Sequence, residues 1–320
     1  MDFLIQVIWE GLVAGVLYAL IALGFVLIFK ASGVFNFAQG IMVVFSALTL
    51  VGSYEKMEAQ GFTGFPAAMV ALAIALGVMF ALAWLVERLV LGPLVNQPDI
   101  ILFMATFGVT YFLIGLGESV FGGDPKIMIT KALGLPTGSS EFRLPGLGPD
   151  GKMGLVLIQH IDVAAAVIAS LMIAALAFFF QYTRIGRALR AVADSHKAAL
   201  SVGISLNQIW VVVWFTAGIV ALVTGIMWGA RSEVSFSLRT VALKALPVLI
   251  VGGFTSVPGA IVGGLIVGIG EKLGELYVAP WLLGPAMGRG VESWIAYMIA
   301  LGFVLFRPQG LFGERIIERI

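Results

Sequence analysis

Cysteine is absent from the 320 residues, histidine occurs twice, and Asp, Glu, Lys and Arg together make up only 12% of the chain. The first absence excludes disulfides and thiolate metal sites, and the second leaves little for an imidazole centre. The third excludes an ordinary water-soluble surface, because soluble domains carry about 25% charged residues. Lys and Arg number 19 against 18 acidic residues, so bulk charge points to neither nucleic acid nor an acidic partner. No HExxH helix, GxSxG elbow or Asp-rich magnesium cluster occurs. GLGPDGKM at 146–153 nearly fits a phosphate loop, but Met153 stands where a magnesium-holding Ser or Thr belongs and no buried strand precedes it. His160 and His196 fall at the edges of apolar runs, where a solvated imidazole is the default. Neither a cofactor nor catalysis within this chain is expected.

What remains is apolar: 60% hydrophobic residues and a mean hydropathy of +1.05 define an integral membrane protein. Nine apolar runs fall near 5–29, 37–52, 66–86, 99–121, 161–181, 208–230, 240–254, 258–278 and 291–306. They are continuous rather than alternating, which favours helices over a β-barrel. The start, MDFLIQVIWEG, has no Lys or Arg before Lys30, so it lacks the charged region of a secretory signal and reads as a retained helix. The expected fold is all-α, a polytopic transmembrane bundle of about eight or nine spans forming a single domain over 1–320.

Arg184–Ile204 interrupts this pattern. Ile185, Ala188, Leu189, Val192, Ala199 and Leu200 recur at helical spacing, while Arg184, Arg187, Arg190, Asp194 and Lys197 take the other face. Gly203 is spaced as a helix C-cap, and Ser205 with Gln208 as a capping box for the next run. The clustered cations put the loop 182–207 in the cytoplasm. Alternation then places the N-terminus outside, and Lys30 and the tail with Arg307, Arg315 and Arg319 inside. The Gly- and Pro-rich segment 122–160 becomes an external loop, either an ordered cap or a flexible connector.

The run 240–254 is short and broken by Pro247, Gly252 and Gly253. Its roughly 14 helical residues reach only about 21 Å. Lys244 inside it costs about 2.5–3.5 kcal/mol if it faces lipid, so it should face protein or water. Parity with the basic tail favours a crossing. Glycines four apart, at Gly11 and Gly15, Gly225 and Gly229, Gly259 and Gly263, Gly264 and Gly268, and Gly270 and Gly274, either pack helices closely or arise by chance among 40 glycines. Their density over 252–274, ending in Glu271, points to a closely packed, partly unwound centre.

GVLYALIALGFVLIFKASGVFNFAQG, GRALRAVADSHKAALSVGI, LIVGGFTSVPGAIVGGLIVG and RPQGLFG, in this order and spacing, resemble the permease subunits of branched-chain amino acid ABC importers nearly end to end. The resemblance implies a bacterial or archaeal plasma-membrane permease. It would work with a second homologous permease, two cytoplasmic ATP-binding subunits and a periplasmic or lipoprotein solute-binding protein. Segment 184–204 becomes the coupling helix, with Arg187, Ala191, Asp194, Ala198 and Gly203 as ATPase-coupling residues; the plainer reading of the same residues is a solvated amphipathic connector. Two departures stand out. Ser195, His196 and Lys197 follow Asp194 where the family usually has Asn and often Pro-Glu, and Gln39 replaces a frequent histidine.

Polar residues inside apolar runs mark the candidate substrate path: Asn36, Gln39, Thr106, Lys244 and Glu271. For Asn36 and Thr106 capping or cross-linking of helices is the stronger alternative, and Lys244 with Glu271 suit an internal ion pair at least as well as solute contact. Trp84, Trp210, Trp228, Trp281 and Trp294 read as interfacial anchors or packing. The alternative function is an ion-gradient-driven secondary transporter of a small polar solute that uses Lys244 and Glu271 as its coupling pair. Inverted repeats would favour it, and none is evident.

Overall fold

A computed structural model describes residues 2–94, 97–127, 129–144, 154–194, 196–278, 280 and 291–313. The helices are α1 (Asp2–Ser32), α2 (Gln39–Ala59), α3 (Gly64–Val86, continued by a π turn Glu87–Leu91), α4 (Asp99–Phe121), α5 (Ile129–Leu133) and α6 (His160–Tyr182). They continue with α7 (Arg184–Asp194), α8 (His196–Ser201), α9 (Leu206–Arg231), α10 (Leu238–Leu243), α11 (Ala245–Gly252), α12 (Val257–Leu273) and α13 (Val291–Phe306). Each expected apolar run falls largely on helix. Among the described residues six helices are long and apolar enough to cross a membrane, within α1, α3, α4, α6, α9 and α12. The run 240–254 divides at Lys244 into α10 and α11, as its Pro and Gly content predicts.

One element departs from the all-helical expectation. β1 (Ser139–Leu144) and β2 (Gly154–Gln159) form an antiparallel pair in register from Ser139 opposite Gln159 to Leu144 opposite Gly154. Six-residue strands fall below the length of the runs that the sequence reading used. The remainder of the 122–160 segment is also folded where it is described. Lys126 pairs its backbone with Val234 and its ammonium with Glu55, and Lys131 contacts Glu58 at 2.9 Å. The hydrogen bond that Lys131 donates to Glu58, with the charge of that carboxylate, raises Lys131 above the usual lysine range. GLGPDGKM lies within 145–153, outside the described residues.

The chain forms two compact units: residues 1–22, 136–170 and 244–320, and residues 23–135 and 171–243. In the second unit α2 is central, packed by α3, α4, α9 and α10. Cβ at Gly225 of α9 would stand 2.5 Å from the Val43 carbonyl of α2, so glycine lets these backbones meet. Trp210 and Trp214 of α9 are buried, so Trp210 is a packing residue, whereas Trp84 and Trp294 are exposed. Trp281 lies outside the described residues.

In the first unit α12 is the axis. Ser256 caps it by accepting the Gly259 N–H at 3.0 Å, with Pro258 in the opening turn. Gly252 and Gly263 face α12 and α11 so closely that added Cβ atoms would strike backbone, which folds the two helices into a tight antiparallel pair. The tail RPQGLFG docks on their turn: Leu311 and Phe312 N–H groups donate to the carbonyls of Val251 and Gly252 at 2.8 and 3.1 Å. Across α12, Gly11 and Gly15 of α1 meet Gly268 and Gly264, with Cβ at Gly268 2.5 Å from the Gly11 carbonyl and the Gly15 backbone. These backbones cannot yield as a flexible side chain does. Gly268→Ala should therefore lose about 1–3 kcal/mol of stability. Gly108→Ala on α4, where nothing lies within 4 Å, should be neutral or slightly stabilising. Thermal unfolding of the detergent-solubilised protein checks the contrast, and equal melting of the two variants would contradict the packing.

Candidate functional site

The five path residues fall into two groups. In the second unit, α1 gives way at Gly33, whose φ of +72° suits glycine, to the non-helical link before α2. Asn36, fully buried, accepts the Ala38 N–H on Oδ1 at 3.0 Å, and its carbonyl accepts the Gln39 N–H at 3.3 Å, so it starts α2. Thr106 of α4 accepts the Phe37 N–H at 3.0 Å and donates to the Phe103 carbonyl at 2.8 Å, tying the link to α4. These contacts are an Asx turn ahead of α2, whose N-cap Ala38 has no side-chain bond, and a cross-link from α4 to the link. The rings follow the same path: Phe35 stacks on Phe25 at 4.9 Å and Phe37 on Phe107 at 3.9 Å.

Gln39 behaves differently. It is fully buried, its Nε2 donates to the Ala217 carbonyl of α9 at 3.3 Å, and its amide lies against Gly24 of α1, in the space a Cβ there would take. Only a donor can face that carbonyl, which fixes the amide orientation. Its Oε1 is left buried without a protein partner, as is Thr224 Oγ1 of α9. A buried acceptor of this kind suits a donor from outside the chain, a solute ammonium or a water.

In the first unit Lys244 Nζ lies 2.9 Å from Glu271 Oε1, and Tyr18 donates its hydroxyl to the same oxygen at 3.1 Å. Glu271 is 1% exposed and the Lys244 side chain 15%. The fold accounts for the meeting. Pairing of Gly252 with Gly259 and of Val248 with Gly263 runs the antiparallel register on to Lys244 about one turn from Glu271. Tyr18 and Glu271, on antiparallel helices, lean toward their own N-termini and hence toward each other. Tyr18 escaped the sequence reading because one tyrosine in an apolar run carries no signal.

The coupling segment is two helices, α7 and α8, with Ser195 outside the described residues and the side chains of Asp194, His196, Lys197 and Ala198 likewise undescribed. Leu189, Val192 and Ala199 are buried as expected. Ile185 and Leu200 are not: they are 43% and 53% exposed, Leu200 because the phase of α7 does not carry into α8 and Ile185 because it stands in the first turn of α7, beyond the buried Leu189 and Val192. Ala191 is half-buried. Gly203 takes a φ of +83° and donates to the Leu200 carbonyl at 3.1 Å, a C-terminal turn that favours glycine. The expected capping box does not form, since Ser205 makes no side-chain bond to α9.

Four residues build the corner between α6 and α7. Thr183 caps α7 through the Gly186 N–H at 2.9 Å, and Gly186 has no room for a Cβ against the carbonyls of Phe179 and Phe180. Arg190 turns back onto the carbonyls of Phe180 and Gln181, and Arg187 onto that of Tyr182 at 3.4 Å. Two cations expected on the free face thus cap the C-terminus of α6, where the helix dipole favours them. Arg190→Ala should lower thermal stability by about 1–2 kcal/mol, the worth of charge-assisted hydrogen bonds at a partly exposed site. Val202→Ala, at a side chain 74% exposed, should change it by less than about 0.5 kcal/mol. A melting series on the two variants checks this, and an Arg190 effect no larger than that of Val202 would contradict the corner.

Six long apolar helices among the described residues, with buried polar residues at a helix break and a link, define a multi-pass membrane protein. Residues 7–306 match the family described as branched-chain amino acid transport system, permease component. The chain is 26% identical to the high-affinity branched-chain amino acid transport system permease protein BraD of Pseudomonas aeruginosa, over 99% of this chain and 98% of that one. It is 24% identical to LivH of Escherichia coli K12, at the same coverages, and 27% identical to a probable LivH of Methanocaldococcus jannaschii, over 96% and 92%. The chain belongs to this permease family, whose members named here are transport proteins rather than enzymes.

Proposed function

We propose that this chain is the transmembrane permease subunit of an ATP-binding-cassette importer that moves branched-chain or related small amino acids or amides into the cytoplasm. The family match over 7–306 carries the reading. It pairs with a second homologous permease, two cytoplasmic ATPases and a periplasmic or lipoprotein solute-binding protein in a plasma membrane. About eight or nine helical segments cross, α10 and α11 together making one broken crossing, with the N-terminus outside and the C-terminus inside.

The exposed side of α7 and α8, with Ile185, Leu200 and Val202, receives the ATPase, and Gly203 gives the turn that hands its motion to α9. Arg187, Ala191, Asp194 and Ala198 complete the coupling surface. Thr183, Gly186 and Arg190 make the corner stiff enough to pass a push on to α6. ATP-driven movement of that segment alternates access to a path that includes Asn36, Gln39, Thr106, Lys244 and Glu271. Asp194→Arg combined with Gly203→Pro should abolish solute-stimulated ATP hydrolysis by the assembled complex and leave membrane insertion intact. Unchanged stimulation would overturn the coupling assignment, and transport by the purified chain alone would favour the gradient-driven alternative.

A further inference from the structure

Resting on the importer reading, we infer that Lys244 binds the carboxylate of a passing solute, and that Glu271 and Tyr18 are the resting place of its ammonium when no solute is there. Three observations carry this. The ammonium side of the pair is the open one, since the Lys244 side chain is 15% exposed while Glu271 is 1% exposed. The carboxylate is fixed. Its Oε1 receives Tyr18 as well as Lys244, and it rides on α12, which glycine contacts lock to α1 and α11. Lys244, in contrast, stands at the break between α10 and α11 on a four-carbon stem with several rotatable bonds.

Exchange of partners leaves the site's charge balanced. A buried ammonium stripped of its counter-ion is costly, so Lys244 leaves Glu271 readily only for another anion. A solute carboxylate provides that anion, and a zwitterion also brings an ammonium for the carboxylate that Lys244 vacates. Neutral amides and urea offer neither. The chemical class favoured is therefore a carboxylate-bearing solute, zwitterionic amino acids first, with the amides of the importer reading carried less well.

The test uses cells expressing the complete transporter, with labelled leucine as the probe and leucinamide or 4-methyl-2-oxopentanoate as competitors. Lys244→Met should raise the KM for leucine by roughly ten- to a hundredfold, the loss expected for a charge-assisted hydrogen bond. It should also erase the preference for leucine over leucinamide, while Lys244→Arg retains both. In Glu271→Gln, 4-methyl-2-oxopentanoate, which has no ammonium, should compete better relative to leucine than in the wild type. A purely structural pair would lower the amount of assembled transporter with KM unchanged. An assembled Lys244→Met transporter with unaltered KM and preference overturns the inference, as does wild-type uptake confined to neutral amides or urea. Uptake of some other carboxylate in place of leucine would overturn the branched-chain reading and support this one.

Discussion

A polar group surrounded by hydrocarbon has no water to turn to, and the structure is organised by that constraint. Backbone groups satisfy themselves in helices, and where the helices stop, side chains take over. Asn36 starts α2, Thr106 receives the link before it, Arg190 covers the end of α6, and Tyr18 and Lys244 share Glu271. A broken or bent helix is tolerated in such a medium only where a partner of this kind is present.

Glycine makes these partnerships reachable. The contacts of Gly11 and Gly15 with Gly268 and Gly264 bring α1 and α12 to backbone distance, close enough for Tyr18 to reach Glu271. Gly24 opens the space that the Gln39 amide fills on its way to Ala217. Gly186 does the same for the corner under α6. Small residues thus act at one remove, setting the spacing at which polar chemistry becomes possible.

Composition and run length were enough to place the helices, the break near Lys244 and the left-handed turn at Gly203, because each rests on local chemistry. The close approach of α11 and α12 was legible in the density of glycines over 252–274. Tyr18 was not, since its role depends on a residue 253 positions away. Nor was the burial of Gln39 against Gly24, or the backward turn of Arg190, whose charge reads from sequence as a free cytoplasmic cation. The hairpin β1–β2 was missed for a different reason: short strands lying between membrane runs give too weak a period to register.

The central claim is that the α7–α8 segment lies on the cytoplasmic side, where a nucleotide-hydrolysing partner can reach it. The chain has no cysteine, so Val202→Cys, at a residue 74% exposed, creates a single reporter thiol. A membrane-impermeant maleimide should leave it unlabelled in intact cells and label it in inside-out vesicles, with protection when the complex is assembled. Labelling from outside intact cells would contradict the account.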